Sequence, residues 1–152
     1  MIRKAEEKDL GAAAGLAALP WPEHAPEDLL PELRALPETG DGALFLASEG
    51  GADLGFAQVQ LRRDYVEGTE SSPVGYLEGV YVREEARGRG VARALLEACE
   101  AWAAEQGCRE FASDCELGNE ASLAFHLKSG FTEANRIICF VKPLNTVNGE
   151  EA

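Results

Sequence analysis

Nothing in the 152-residue sequence approaches the roughly 20 consecutive apolar residues of a membrane span. The first residues, Met1 to Leu10, are charged where a secretory leader would be apolar, so the expected location is the cytoplasm. Positive charge is scarce as well. Lys and Arg number 14 against 27 Asp and Glu, and the resulting net charge of −13 argues against nucleic acid or an anionic membrane as partner. The four cysteines, Cys99, Cys108, Cys115 and Cys139, form no C-x-x-C pair. Only His24 and His126 could join them, so no metal site is expected. Cys99 falls on the apolar face of a helical pattern and Cys115 and Cys139 in strand-like runs, which implies buried free thiols. No Lys-Ser/Thr pair follows a glycine loop and no G-x-G-x-x-G occurs, which excludes a P-loop nucleotidase and a dinucleotide-binding dehydrogenase.

What the chain does contain is a succession of short periodic segments without internal repeats. Ile2 to Ala5 reads as a strand, Glu6 to Leu19 as an Ala-rich helix ended by Pro20-Trp21-Pro22, and Pro26 to Leu36 as a less regular helix. Ala43 to Ser48 and Leu54 to Arg62 read as strands around a Gly-rich hairpin loop, followed by a polar loop, Asp64 to Pro73, and a strand, Gly75 to Val82. Val91 to Ala103 has one apolar face and a C-cap at Gly107. Glu110 to Cys115 reads as a strand, Glu120 to Ser129 as a helix, and Ile137 to Val141 as a final strand. These form one domain over residues 1–144, with 145–152 as a polar, frayed tail.

The most informative stretch is Arg87-Gly88-Arg89-Gly90-Val91-Ala92, between a strand and a helix. Glycines there let backbone N–H groups approach an anion at the helix N-terminus. Helices favour acidic residues in a first turn, yet Arg87, Arg89 and Arg93 surround this one, a conflict that a bound polyphosphate resolves. The alternative is a Gly-rich turn whose arginines pair with Glu84 and Glu85. The segment from Arg83 to Arg93, with four arginines and two glutamates, is a basic island in an acidic chain. That division suits an anionic cofactor and a cationic substrate.

R-x-x-G-x-A after a strand resembles the pyrophosphate loop of the GCN5-related N-acetyltransferase superfamily. Asn119-Glu120-Ala121-Ser122 followed by Phe125-His126 and Gly130-Phe131 resembles its second segment. The resemblance covers nearly the whole chain. It implies an α/β (α+β) fold, with a mixed, mostly antiparallel sheet of six to seven strands, flanked by about four helices and splayed at its centre. It also implies acetyl-coenzyme A (acetyl-CoA) as co-substrate, a homodimer with the last strand at the interface, and cofactor-binding roles for Val80, Tyr81, Val82, Arg87, Gly88, Arg89, Gly90, Val91, Ala92, Asn119 and Ser122. Where that family often carries a tyrosine that protonates the departing thiolate, this chain carries His126. It is either a general acid, as an imidazolium, or a structural histidine.

Pro20-Trp21-Pro22 with His24, Asp64-Tyr65-Val66, Ser71-Ser72-Pro73, Leu77-Glu78-Gly79-Val80 and Ala112-Ser113-Asp114 together resemble the aminoglycoside 6′-N-acetyltransferases. That likeness implies acetylation of the 6′-amine of an antibiotic, with resistance or detoxification as the outcome. Trp21, Tyr65, Glu78, Asp114 and Asn135 would line the substrate site, Asn135 standing where that family has an acid. Carboxylates suit ammonium groups, and aromatic rings suit sugar faces and cationic edges. The same carboxylates favour the ammonium form of an amine that must be neutral to attack, so a proton has to leave. Glu78, directly or through water, is the base this reading assigns. Each of these residues also has a structural reading: Glu78 as an outward strand residue, Asp114 as a strand-end cap, Trp21 as a buried anchor. The functional alternatives are acetylation of another small amine, a polyamine or a protein N-terminus, or acyl-CoA binding without turnover.

Overall fold

The computed structural model of the chain describes residues 1–20, 23 and 25–145, with residues 36–38 described by backbone alone. Five strands, β1 (Ile2–Lys4), β2 (Gly42–Glu49), β3 (Ala52–Arg62), β4 (Val74–Val82) and β5 (Phe111–Ser113), form one sheet in the order of the chain. The first four are antiparallel neighbours, and β5 runs parallel to β4. Four α-helices accompany them: α1 (Leu10–Ala18), α2 (Pro26–Thr39), α3 (Val91–Glu105) and α4 (Glu120–Lys128).

Alternation along β2 explains why Ala43 to Ala47 reads as an unbroken apolar run. Ala43, Phe45 and Ala47 pack with Leu95, Leu96, Cys99, Trp102 and Ala103 of α3 on one face of the sheet. Leu44 and Leu46 pack with Leu10, Ala13, Ala14 and Leu16 of α1 and Leu33 of α2 on the other. A strand covered on both faces has no polar side to show. The alanines of α1 let it lie close to the sheet. α3 runs to Glu105 with its C-cap at Gln106, one residue before the expected cap, and Gly107 follows with a left-handed φ of 92°. Burial pushes the Cys99 thiol up to about 12, leaving it an inert core group.

Four expectations change. The sheet has five strands among the described residues, not six or seven, because residues 131–145 carry no regular structure and Ile137 to Val141 is not a strand. Cys115 and Cys139 are exposed and Cys108 half-buried, so of the four thiols Cys99 alone is buried. β5 is shorter than Glu110 to Cys115, since its pairing with β4 begins at Gly75 with Phe111 and ends at Leu77 with Ser113. α2 runs on to Thr39 through Pro31 and Pro37, past the expected end at Leu36.

At the N-terminus, Arg3 grips Asp9 with two hydrogen bonds of 2.6 and 2.8 Å, and Asp9 also accepts the Glu6 N–H at 2.8 Å. These bonds, the Arg3 pair first, hold the Asp9 carboxyl well below the usual carboxylate range. A carboxylate depressed in the folded state stabilises the fold above its unfolded pKa, about 3.9, and loses that contribution as pH falls toward the folded value. Asp9→Asn is therefore expected to lower the melting temperature at pH 7. The gap to the natural chain should narrow below about pH 4. Thermal melts across this range check it; a gap independent of pH would remove Asp9 as an acid-sensitive anchor.

Candidate active site

β4 links two halves of a site. Its pairing with β5 stops at Leu77, so residues 78–82 leave an edge without a β5 partner and the two strands diverge there. Val80, Tyr81 and Val82 lie on this stretch. A single 3-10 turn, Glu84–Ala86, then leads into the glycines.

Gly88 and Gly90 both have φ of 79°, a left-handed conformation that glycine adopts without strain. A methyl group added to either meets nothing within 4 Å, so the approach to the α3 N-terminus is open. Gly90 is the N-cap of α3; no side chain caps it, and the first turn holds no acidic residue. The arginines do not pair with Glu84 or Glu85. Arg83 Nε donates to the Asp53 carbonyl at 2.7 Å and Arg87 Nε to the Val82 carbonyl at 3.0 Å. Arg89 reaches Glu49 at 3.3 Å, and Arg93 donates to the Lys128 carbonyl at 3.3 Å. Uncapped N–H groups, an open approach and neighbouring guanidinium groups fit a diphosphate.

Across the cleft, Asn119 caps α4 by accepting the Ser122 N–H at 3.1 Å, so a ligand bond from this side chain would use Nδ2. His126 Nδ1 lies 2.7 Å from the Ser122 carbonyl and therefore carries a hydrogen. Nε2 lies 2.8 Å from Ser113 Oγ, which is 3.3 Å from the Leu77 carbonyl. Both ring nitrogens are thus engaged, and the ring packs on Phe125 and Phe131. His126 ties α4 to β5 at the point where β4 and β5 separate.

The second half lies on the face of the sheet that also carries α1 and α2. In the β3–β4 register Gln58 faces Gly79 and Val59 faces Leu77, which leaves Glu78 as the extra residue of a bulge. Glu78 stands two residues after Tyr76 and shares its face. There Arg62 of β3 grips Glu78 with three contacts of 2.9 to 3.1 Å and stacks on the Tyr76 ring, 3.5 Å from its centroid. The Tyr76 hydroxyl donates to Asp114, which follows β5. Burial, reinforced by the hydrogen bond to Asp114, raises the Tyr76 pKa well above the usual phenol, so it stays a donor. Burial opposes the charge on Arg62, but the bonds to Glu78 outweigh it and leave its pKa above the ordinary value.

The structure therefore brings Glu78 and Asp114 together. Val66 is buried against Tyr76 and Val74, which sets the 63–73 loop beside them, and Tyr65 on that loop is 75% exposed. Asn135 Nδ2 donates to Glu67 Oε1 of the same loop at 3.1 Å, while Glu133 pairs with Arg136. Trp21 and His24 lie outside the described residues.

A model of the acetyltransferase (GNAT) family matches residues 12–131. The chain belongs to this family. An aminoglycoside N(6′)-acetyltransferase type 1 of Stenotrophomonas maltophilia is 46% identical over 144 residues, covering 94% of this chain and 93% of that protein. One from Serratia marcescens is 40% identical over 145 residues, covering 95% and 99%. Among solved structures, AAC(6′)-Iy in complex with the bisubstrate analog CoA-S-monomethyl-acetylneamine superposes with a TM-score of 0.90 at 37% identity, covering 95% of this chain and 98% of that one.

Within this GNAT frame, Arg62 and Tyr76 are the site residues that motif reading missed. Tyr76 stands two before Glu78, so strand alternation points to it. Arg62 had no such signal, because it pairs with Val74 in the β3–β4 register and reaches Glu78 only across the Tyr76 ring.

Proposed function

We infer that the chain transfers the acetyl group of acetyl-CoA to the 6′-amino group of aminoglycosides. The observation that carries this reading is the layout of β4, which leads to an open, arginine-flanked helix N-terminus at its C-terminal end and presents Glu78 at its middle, where Asp114 follows the end of β5. Gly88, Gly90, Val91 and Ala92 hold the diphosphate by backbone, with Arg87 and Arg89 beside them. Val80, Tyr81, Val82, Asn119 and Ser122 line the cleft for the pantetheine arm. Bound there, acetyl-CoA supplies an activated acyl group. Backbone N–H groups at the free edge of β4 stabilise negative charge that develops on the carbonyl oxygen.

Asp114 and Tyr65, with Trp21 and Asn135, hold the polycation. Glu78 accepts the amine's proton through water, since Arg62 occupies both its oxygens. The nitrogen–carbon bond forms as the carbon–sulfur bond breaks, and the departing thiolate takes a proton from His126 or solvent. An ammonium acceptor thus yields amide, free CoA thiol and one released proton. CoA release should be seen with kanamycin-like acceptors bearing a 6′-amine and be at least a hundredfold slower with a 6′-hydroxyl. Equal rates on both would sink the 6′ assignment.

A homodimer is part of the same proposal. No residue from 104 to 145 is fully buried, and Ile137, Ile138, Phe140, Val141 and Leu144 are 71 to 95% exposed on one extended stretch. A contiguous apolar stretch of that length is characteristic of a protein–protein contact. A second copy covers it and the adjoining β5–α4 surface. Light scattering should give twice the mass of one chain for the natural protein and one chain's mass for Phe140→Asp; a natural monomer would overturn the dimer.

A further inference from the structure

The proposed reaction holds a tension. A site acidic enough to hold a polycation also keeps the attacking nitrogen protonated, and an ammonium cannot attack. The geometry around Glu78 resolves it. We propose that Arg62 is a positioning residue that acts through Glu78: by occupying both carboxylate oxygens, it prevents Glu78 from holding the attacking nitrogen as an ammonium. The inference rests on an amine acceptor at this face and so on the proposed function.

Arg62 is built into the site rather than lying across it. Its Nε and one terminal nitrogen engage Glu78 in a forked geometry, and its plane lies on the Tyr76 ring. Such a stacked fork is a geometry that Lys cannot reproduce. The Arg62 and Glu78 side chains are 40% and 20% exposed, so the pair is partly desolvated. Among the described residues, the charged and titratable groups on this part of the face are Arg62 from β3, Tyr76, Glu78 and Tyr81 from β4 and Asp114 after β5, with the exposed Tyr65 and Glu67 on the neighbouring loop. Tyr76 is neutral and donates to Asp114. Charge near Glu78 is thereby balanced within the protein, while Asp114 accepts from a neutral hydroxyl and pairs with no cation among the described residues. Ammonium groups elsewhere on the acceptor are held there, and the reacting nitrogen meets a nearly neutral pair.

Removing the guanidinium charge uncovers Glu78. Arg62→Gln is expected to bind the cationic acceptor more tightly, with a lower KM, and to turn it over about tenfold more slowly at pH 7. The rising limb of kcat against pH should move up by about one unit, as expected when one nearby charge is removed from a half-exposed site. Turnover should recover toward the natural rate at high pH. Arg62→Lys keeps the charge but not the fork and should move the limb by less than Arg62→Gln does. In a Glu78→Gln background, Arg62→Gln should no longer move the limb. Melting temperatures and the KM for acetyl-CoA show that each variant is folded and binds its donor.

A raised KM with an unmoved limb would mean that Arg62 merely props up β4, and would overturn the proposal. So would a limb shift that persists without Glu78. A natural enzyme silent toward every 6′-amine overturns the proposed function and this inference with it. An active natural enzyme whose limb ignores Arg62→Gln overturns this inference alone.

Discussion

Glu78→Gln is expected to lower kcat/KM for a 6′-amine acceptor by about a hundredfold while leaving the KM for acetyl-CoA nearly unchanged. Gln preserves the shape of the side chain and removes its charge, so the bulge of β4 is retained and the chemistry is not. Two losses combine. The proton acceptor disappears, and Arg62 is left as an uncompensated cation facing a polycationic acceptor. Breaking a desolvated, hydrogen-bonded charge pair from one side costs roughly 2 to 5 kcal/mol. The Arg62 and Glu78 side chains are 40% and 20% exposed, which puts the expected loss toward the lower half, about 3 kcal/mol or a hundredfold. Steady-state kinetics with each substrate varied separate the outcomes. A change confined to acetyl-CoA affinity would make Glu78 a structural part of the strand.

Gly75→Val is expected to be the most damaging substitution for the fold. A methyl group at Gly75 would sit 2.6 Å from Cβ of Ala103 on α3 and 2.7 Å from a ring carbon of Phe111 on β5. Valine adds two more carbons to that conflict. Overpacking a well-filled core costs about 1 to 3 kcal/mol, and the upper end lowers the melting temperature of a domain this size by roughly 6 to 12 °C. The damage should concentrate on β5, because three residue pairs alone join it to β4 and Gly75–Phe111 is one of them. Asp114 follows β5 directly, so acceptor binding should weaken along with stability. Gly79→Ala in the same strand is the control. A methyl group there meets nothing within 4 Å, and the melting temperature should move little. Equal losses at both positions would contradict this packing argument.

Much of the fold was legible because its signals are local. The apolar run of β2, the glycine at the end of α3 and the glycines before it each follow from a rule acting over a few residues. The failures share a different origin. Ile137 to Val141 has the composition of a strand but finds no neighbouring edge within its own chain, and pairing cannot be read from one segment. The helix expected from Pro26 to Leu36 runs on to Thr39, and Leu33 inside it is buried against α1 and the sheet, so tertiary packing outweighed local preference.

The site divides in the same way. Gly88 and Gly90 announced their role by spacing, and Glu78 and Asp114 by family likeness. Neither signal reveals that Glu78 sits in a bulge, because a bulge is a property of two strands together. By itself Arg62 is only a charged residue at the end of β3, in register with Val74. Laid across the Tyr76 ring, it becomes the counter-charge of the proposed base. The basic turn identifies the donor site, whereas the acceptor face combines two carboxylates with one resident cation.

The most direct measurement is the position of the new acetyl group. The natural enzyme is incubated with carbon-13-labelled acetyl-CoA and a kanamycin-like acceptor carrying several amines, and the product is analysed by NMR. A single labelled acetyl group on the 6′ nitrogen is expected; label on another amine, or spread over several, would contradict the assignment.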